Sequence, residues 1–257
     1  MEPNATLRIY LAGPVYLERG DVLVRELRLP GRQGRLALAM LAAEHERPLT
    51  KEELAEELWS GEPPAAWEVA LRAIVSKLRG VLAEVGLETP STLVSAFGAY
   101  QLRLPHETWI DLEAAGDAVH RAERSLREDD LDDAVGWSLA ANAIARRGFL
   151  PGEEGLWATR VRAELAVIRV RALECRGETL LTRGDHAAAA RDAELVLSLA
   201  PFRETAHRLV MRAHAEDGNP AEALRAFERC RATLSEELGV VPSAETEALY
   251  LEILRSA

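Results

Sequence analysis

Residues 69–80 read VALRAIVSKLRG, and what this stretch does decides how the first part of the chain is understood. On a 3.6-residue repeat, Val69, Ala73, Val75, Leu78 and Leu82 turn toward an interior, helped by Leu71 and Ile74. Arg72, Ser76 and Arg79 fall on the opposite side at i, i+4 and i+7, with Lys77 adjacent. Taken alone, such a helix is commonplace as a solvated surface element. Its surroundings point elsewhere. Upstream, Thr50 and Glu53 have the spacing of a capping box for KEELAEELW, and Gly61, Pro63 and Pro64 end that helix. Downstream, STLVS (91–95) and YQLRL (100–104) flank a Phe97–Gly98–Ala99 turn and form a hairpin. A capped helix, a tight connection, a second helix and a hairpin make a winged helix-turn-helix. In such modules the second helix enters the DNA major groove while the first crosses the backbone.

Working outward, LRIYL (7–11) alternates as a strand, and PVYLERGDVLVREL turns at Arg19–Gly20–Asp21 as a second hairpin. RLALAMLAAEH (35–45) is an amphipathic helix, broken before Pro48. The order of strands, three helices and hairpin is that of a winged helix with an added N-terminal sheet. After Pro105 no further strand is expected. From about Asp111 the sequence is helix after helix, with Ala at close-packing positions. GDHAAAARDAELVLSLAP (184–201) is echoed by GNPAEALRAFERCRATLSEEL (218–238), and Gly184 to Gly218 is the 34-residue tetratricopeptide period. LDDAVGWSLAANAIARR (131–147) reads as a less regular member. The alternative is a generic Ala-rich bundle. The expected fold is thus mainly α: an α+β winged helix-turn-helix over 1–105, then all-α tetratricopeptide-like repeats over 106–257.

The formal charge is −11, but it is unevenly spread. Residues 1–105 carry 12 basic and 14 acidic side chains, and residues 106–257 carry 19 and 28, giving −2 and −9. Any anion-binding surface is therefore a local patch in the first segment. LVRELRLPGRQGR sets Arg25, Arg28, Arg32 and Arg35 ahead of the long helix, where they suit either phosphate contact or plain solubility. No apolar run approaches the ~18 residues of a membrane span, and no signal-peptide pattern opens the sequence, which fits a cytoplasmic protein. Cys175 and Cys230 have neither zinc nor disulfide spacing. No phosphate loop, nucleophile elbow or HExxH appears, so neither catalysis, nor a cofactor, nor a metal is expected. Asp129, Asp130, Asp132 and Asp133 suit a helix start, and His207 and His214 suit a packed or surface role. Trp137, Phe149 and Trp157, with RRGFLPGEE between the two tryptophans, read as a packing junction or the border of a small pocket.

The run LPGRQGRLALAMLAAEHERPLTKEELAEELWSGEPPAAWEVALRAIVSKLRGVL resembles the N-terminal domain of the Streptomyces antibiotic regulatory protein (SARP) family. The run PFRETAHRLVMRAHAEDGNPAEALRAFERCRATLSEELGVVPSAETEALYLEIL resembles that family's bacterial transcriptional activator domain. The second rests on Pro201, Arg203–Glu204, Leu209–Met211, Gly218, Ala221–Leu224, Glu236–Gly239 and Pro242. The resemblance implies a response-regulator-type winged helix, binding to direct repeats in double-stranded DNA, and help to RNA polymerase holoenzyme in starting transcription. It matches Thr50–Trp59 to the supporting helix and Val69–Leu82 to the reading helix, with Trp67 near a loop that can face polymerase or phosphate. The candidate DNA contacts are Arg72, Ser76, Lys77, Arg79, Arg32, Arg35, Thr50, Lys51, Trp67 and Arg103. Two departures stand out: Gly80 replaces a frequent basic residue, and the wing from Ser95 to Tyr100 has no charge until Arg103. A wing without Arg lowers the affinity of a monomer, which a homodimer on two half-sites would restore. These departures also keep open a protein-interaction adaptor whose winged helix binds DNA weakly or not at all.

Overall fold

The computed structural model describes residues 5–256, apart from the side chains of 89 and 90. Two compact units emerge from the packing: residues through Ala114 together with Ile144–Leu165, and Ala115–Ala143 together with Ala166–Ala257. The first therefore does not stop at residue 105. It takes in a segment that the sequence places among the repeats.

In the first unit, β1 (Leu7–Tyr10), β2 (Tyr16–Arg19) and β3 (Val22–Arg25) form an antiparallel meander, turning at Gly20–Asp21. The expectation that strands stop after Pro105 fails here. β7 (Trp109–Ile110) pairs parallel to β1, giving the order β3-β2-β1-β7. Asp111, one residue on, is fully buried, and its carboxylate accepts the N–H groups of Leu11 and Ala12, both at 2.9 Å. A dipeptide strand has no periodicity to read, and this one is fixed by the carboxylate that follows it. Burial pushes the Asp111 pKa up, against those two hydrogen bonds and the charge of Arg147.

α1 (Gly31–Ala43) begins four residues earlier than the apolar pattern suggests. Its LPGRQGR start is shaped by Gly34, where a Cβ would meet the Pro30 ring at 2.2 Å. β4 (Leu49–Thr50) leads into α2 (Lys51–Leu58), and Thr50 and Glu53 make the reciprocal capping box. α3 (Trp67–Glu84) follows, then the short α4 (Thr89–Thr92) and the hairpin of β5 (Leu93–Ala96) and β6 (Ala99–Leu102). α1, α2 and α3 pack on one another, and α1 also packs on β6, around fully buried Leu36, Leu38, Leu54, Leu58, Leu71 and Leu78. β6 sits between β4 and β5, so the hairpin is stitched to the start of α2.

The rest of the first unit is the loop ahead of α7 (Leu156–Thr182) and that helix's opening turns. Gly13 N–H donates to Gly148 O, and Phe149 and Leu150 are fully buried. Trp157 meets the Phe149 ring edge-on at 5.4 Å, so these two form a packing junction, whereas Trp137 lies in the other unit under the Arg121 guanidinium.

The second unit contains most of α5 (Asp111–Arg127), α6 (Leu131–Ala145) and α7, then α8 (His186–Leu199), α9 (Glu204–Glu216), α10 (Pro220–Leu238) and α11 (Ala244–Ser256). α8–α9 and α10–α11 are the two helix pairs of the 34-residue repeat, and α9 packs on α8, α10 and α11. Gly184 and Gly218 occupy equivalent turns with φ of 79° and 76°, a left-handed conformation that costs glycine little. Ala189, Ala193, Ala213, Ala223 and Ala226 are buried where these helices approach. Asp192, almost fully buried, is held by Arg176 through two bonds of 2.6 and 2.5 Å. The fold is the mainly α one expected: a winged helix-turn-helix and tetratricopeptide-like helices. Among the described residues no helix is long and apolar enough to cross a membrane.

Candidate nucleic-acid interface

The site is built on α3. Its buried residues are Leu71, Ile74, Val75, Leu78, Val81 and Leu82, an i, i+3, i+4, i+7 stripe that anchors it to α1 and α2. This stripe differs from the expected one: Val69 and Ala73 lie outside it, and Val69 is 60% exposed. With about 100° between successive residues, the outer midline is Val69, Ala73, Ser76 and Gly80. Arg72 stands on one flank and Lys77 on the other, both exposed. Neither has an ion-pair partner among the described residues. The outer face is therefore small and apolar along its centre and cationic along both edges.

Arg79 belongs to a different arrangement. It is half-buried, and its Nη2 donates to the carbonyl of Leu93 at 2.9 Å, tying α3 to the base of the hairpin. The reason lies in the register: Arg79 sits on the Arg72 flank two turns further along, next to β5. It braces the hairpin rather than facing outward.

Arg35, half-buried, and the more exposed Arg32 both pair with one buried carboxylate. Arg35 donates to Glu26 Oε1 at 3.0 Å and to Glu153 Oε1 at 2.8 Å. Arg32 reaches Glu153 Oε2 at 2.6 Å, a charge contact without hydrogen-bond alignment. The Glu153 side chain is 1% exposed, so two guanidiniums neutralise a carboxylate that has left water. Arg162 then fastens the same loop by donating to the carbonyl of Glu153 at 2.7 Å. Arg28 pairs with Glu84, leaving Arg25 as the exposed member of the cluster without such a partner among the described residues.

Thr50 and Lys51 lie at the opening of α2. The Thr50 hydroxyl is used in the capping box, accepting from Glu53 N–H. That geometry lowers the Glu53 pKa, first through the Thr50 backbone N–H; burial opposes this, and the bonds from Arg47 and the Thr50 hydroxyl add to the lowering. The Lys51 N–H donates to Gly98 O at 3.0 Å, and Thr50 pairs with Ala99, so the hairpin turn abuts the start of α2. Phe97, at that turn, is fully exposed with φ of 49°. Trp67 is half-buried at the first position of α3. Arg103 is exposed at the foot of the hairpin, its N–H bonded to Thr92 O, at the opposite end from Phe97.

The start of α7 holds the helix-turn-helix from behind. Trp157 N–H donates to Glu57 Oε1 at 2.9 Å, placing a carboxylate of α2 at a helix N-terminus, where negative charge is favoured. Gly155 makes room for it: a Cβ there would lie 2.0 Å from Glu57 Oε2. Glu44, just after α1, accepts from Trp157 Nε1 and Arg160 Nη2. Burial acts to raise the Glu44 pKa, but these bonds and Arg47 outweigh it, and the net shift is downward.

A family model of the bacterial transcriptional activator domain matches residues 110–254. The chain belongs to this family, as a regulator of the SARP type. It is 32% identical over 255 residues to regulatory protein AfsR of Streptomyces coelicolor, covering 99% of this chain and 25% of that protein. With regulatory protein DnrI of Streptomyces peucetius it shares 27% identity, over 97% of this chain and 93% of that one. The chain thus spans a quarter of AfsR and nearly all of DnrI. A solved structure of Mycobacterium tuberculosis EmbR, in complex with a low affinity phosphopeptide, superposes with a TM-score of 0.88 at 24% identity. The match covers 98% of this chain and 66% of that one, and it shows the shared fold. The relatives of this SARP-type chain are named as regulatory proteins, EmbR as a transcriptional one.

Proposed function

We propose that the chain is a transcriptional activator that binds direct repeats in double-stranded promoter DNA through α3 and assists RNA polymerase holoenzyme, acting in the cytoplasm. The observation that carries this reading is the outer face of α3, where Arg72 and Lys77 stand exposed, without an ion-pair partner among the described residues, on a helix anchored by its buried stripe. A polyanion is the natural complement of such a face. Lys51 at the start of α2 and Arg103 at the foot of the hairpin supply further positive charge on the same unit. Arg32, Arg35 and Arg79 act as structural braces in this proposal. Few cations and an uncharged wing give a single chain modest affinity, so a homodimer on two half-sites is the bound form.

Electrophoretic mobility shift of the promoter next to the chain's own gene, with genome-wide binding in cells, tests the reading. Enriched sites containing a repeated half-site support it. No enriched site together with no shift at low salt refutes it. Addition of polymerase holoenzyme to the bound promoter should extend the footprint, and an unchanged footprint would remove the polymerase part.

A further inference from the structure

The outer midline of α3 is an unusual surface for hydrogen-bonded readout. Of Val69, Ala73, Ser76 and Gly80, only Ser76 has a side chain that hydrogen-bonds, and nothing lies within 4 Å of a Cβ placed on Gly80. Val69 is the one large apolar residue of α3 left exposed, at 60%, in the helix's first turn. It belongs neither to the buried stripe nor to any neighbouring element. In helices that enter the major groove, the N-terminal residues meet the base edges. There the apolar mark of a base is the C5-methyl group of a pyrimidine.

Resting on the DNA-binding reading above, we propose that Val69 and Ala73 read 5-methylpyrimidines, namely thymine methyl groups. They stand one turn apart on the midline, so they meet neighbouring base pairs of one half-site. Arg72 and Lys77 flank them at about 60–80° to either side, where they draw the helix into the groove. Gly80 lets the C-terminal half of α3 approach without a side chain in the way. No Asn, Gln, Asp or Glu stands on the midline or at the two flanking cations, positions 69, 72, 73, 76, 77 and 80; the exposed acid of the first turn, Glu68, lies about 100° off that midline, beyond Arg72. Discrimination along the midline therefore falls to methyl contact, with Ser76 and Arg72 adding polar contacts beside it.

The test uses the full chain and duplexes selected from a random library by the wild-type protein. In the tightest duplex each thymine is replaced singly by uracil, which deletes the methyl and keeps the base pair. Fluorescence anisotropy should show one or two positions where uracil weakens wild-type binding about three- to fivefold, the worth of one buried methyl group. In Val69→Ala, that loss should vanish at one such position. Arg72→Ala should weaken thymine and uracil duplexes alike. A matching thermal melt confirms that Val69→Ala is folded, which its exposure leads one to expect. A third arm replaces unmodified cytosines of the duplex by 5-methylcytosine. Tighter binding there, with indifference to uracil, would move the methyl source from thymine to modified cytosine and overturn the thymine assignment. A selected duplex indifferent to every uracil overturns the proposal alone. A library that yields no selected duplex overturns the DNA-binding reading, and this proposal with it.

Discussion

Replacing Glu153 by Gln removes one negative charge from the interior of the first unit and leaves side-chain volume almost unchanged. The Glu153 side chain is 1% exposed and faces Arg35, 17% exposed, and Arg32, 51% exposed. Breaking a buried ion pair costs ~3–5 kcal/mol when the remaining charge has no other recourse. Here part of that cost is recovered, because Arg35 keeps Glu26 at 3.0 Å and Arg32 can rehydrate. The expected loss is therefore about 2–3 kcal/mol. With a urea m-value of about 2–3 kcal/mol/M, the unfolding midpoint should fall by about 1 M. Tryptophan fluorescence follows this unit well in a Trp137→Phe background, since Trp59, Trp67, Trp109 and Trp157 all lie within it. A double-mutant cycle with Arg35→Met isolates the pair, and a coupling above ~1 kcal/mol is expected. A coupling below ~0.5 kcal/mol is the signature of an exposed pair and would refute the assignment of Arg35 as a structural brace.

Three further outcomes are expected. Arg72, Lys77, Lys51, Arg103 and Arg25 are the cations discussed above that have no ion-pair or bracing contact among the described residues, so the slope of log affinity against log salt should be no steeper than about −5 per chain; a titration giving about −7 or beyond would return Arg32, Arg35 and Arg79 to the interface. Burial pushes the His207 pKa below the ordinary histidine value, against its hydrogen bond to Pro201 O, so the unfolded chain binds the extra proton. The second unit should then hold its full stability above about pH 6.5 and lose it as pH falls below that value, and calorimetry should show a flatter profile in His207→Gln. Phe97 and Gly98, with φ of 49° and 78°, form a two-residue turn of a kind that favours Asn-Gly, and the Phe97 ring is fully exposed; Phe97→Asn should raise stability by about 0.5–1 kcal/mol in urea, and a loss would show that the ring has a packing role.

Much of the first unit is local and was readable as such. The capping box of Thr50 and Glu53, the Gly20–Asp21 turn and the length of α3 follow from residues within a few positions of each other. The repeat register, with left-handed Gly184 and Gly218, is local in the same sense. β7 was missed because a two-residue strand has no pattern, and its neighbour Asp111 bonds to residues 99 and 100 positions away. The midline of α3 was misplaced because Val69 is apolar, and periodicity assigns apolar residues inward. The register of the buried stripe places Val69 on the opposite face of α3, and its 60% exposure agrees. The fate of the basic side chains was least legible. Arg35 meets Glu153 across 118 positions, and Arg79 meets a backbone carbonyl, a partner without a residue type to recognise. Even so, the RRGFLPGEE segment with Trp157 stood out as a junction, and that was the available signal.

The elements, their order, the family and the helix that faces outward are all legible in short stretches of chain, because capping, turn chemistry and apolar spacing act over a few residues. Tertiary structure alone decided which cations remain available on that helix's unit, because a charge is cancelled by whatever the folded chain brings within about 3 Å. Arg32 and Arg35 are spent on a buried carboxylate and Arg79 on a strand, while Arg72 and Lys77 stay exposed. The apolar centre between those two, with Val69 outermost, came into view only once the core had taken the other face of α3.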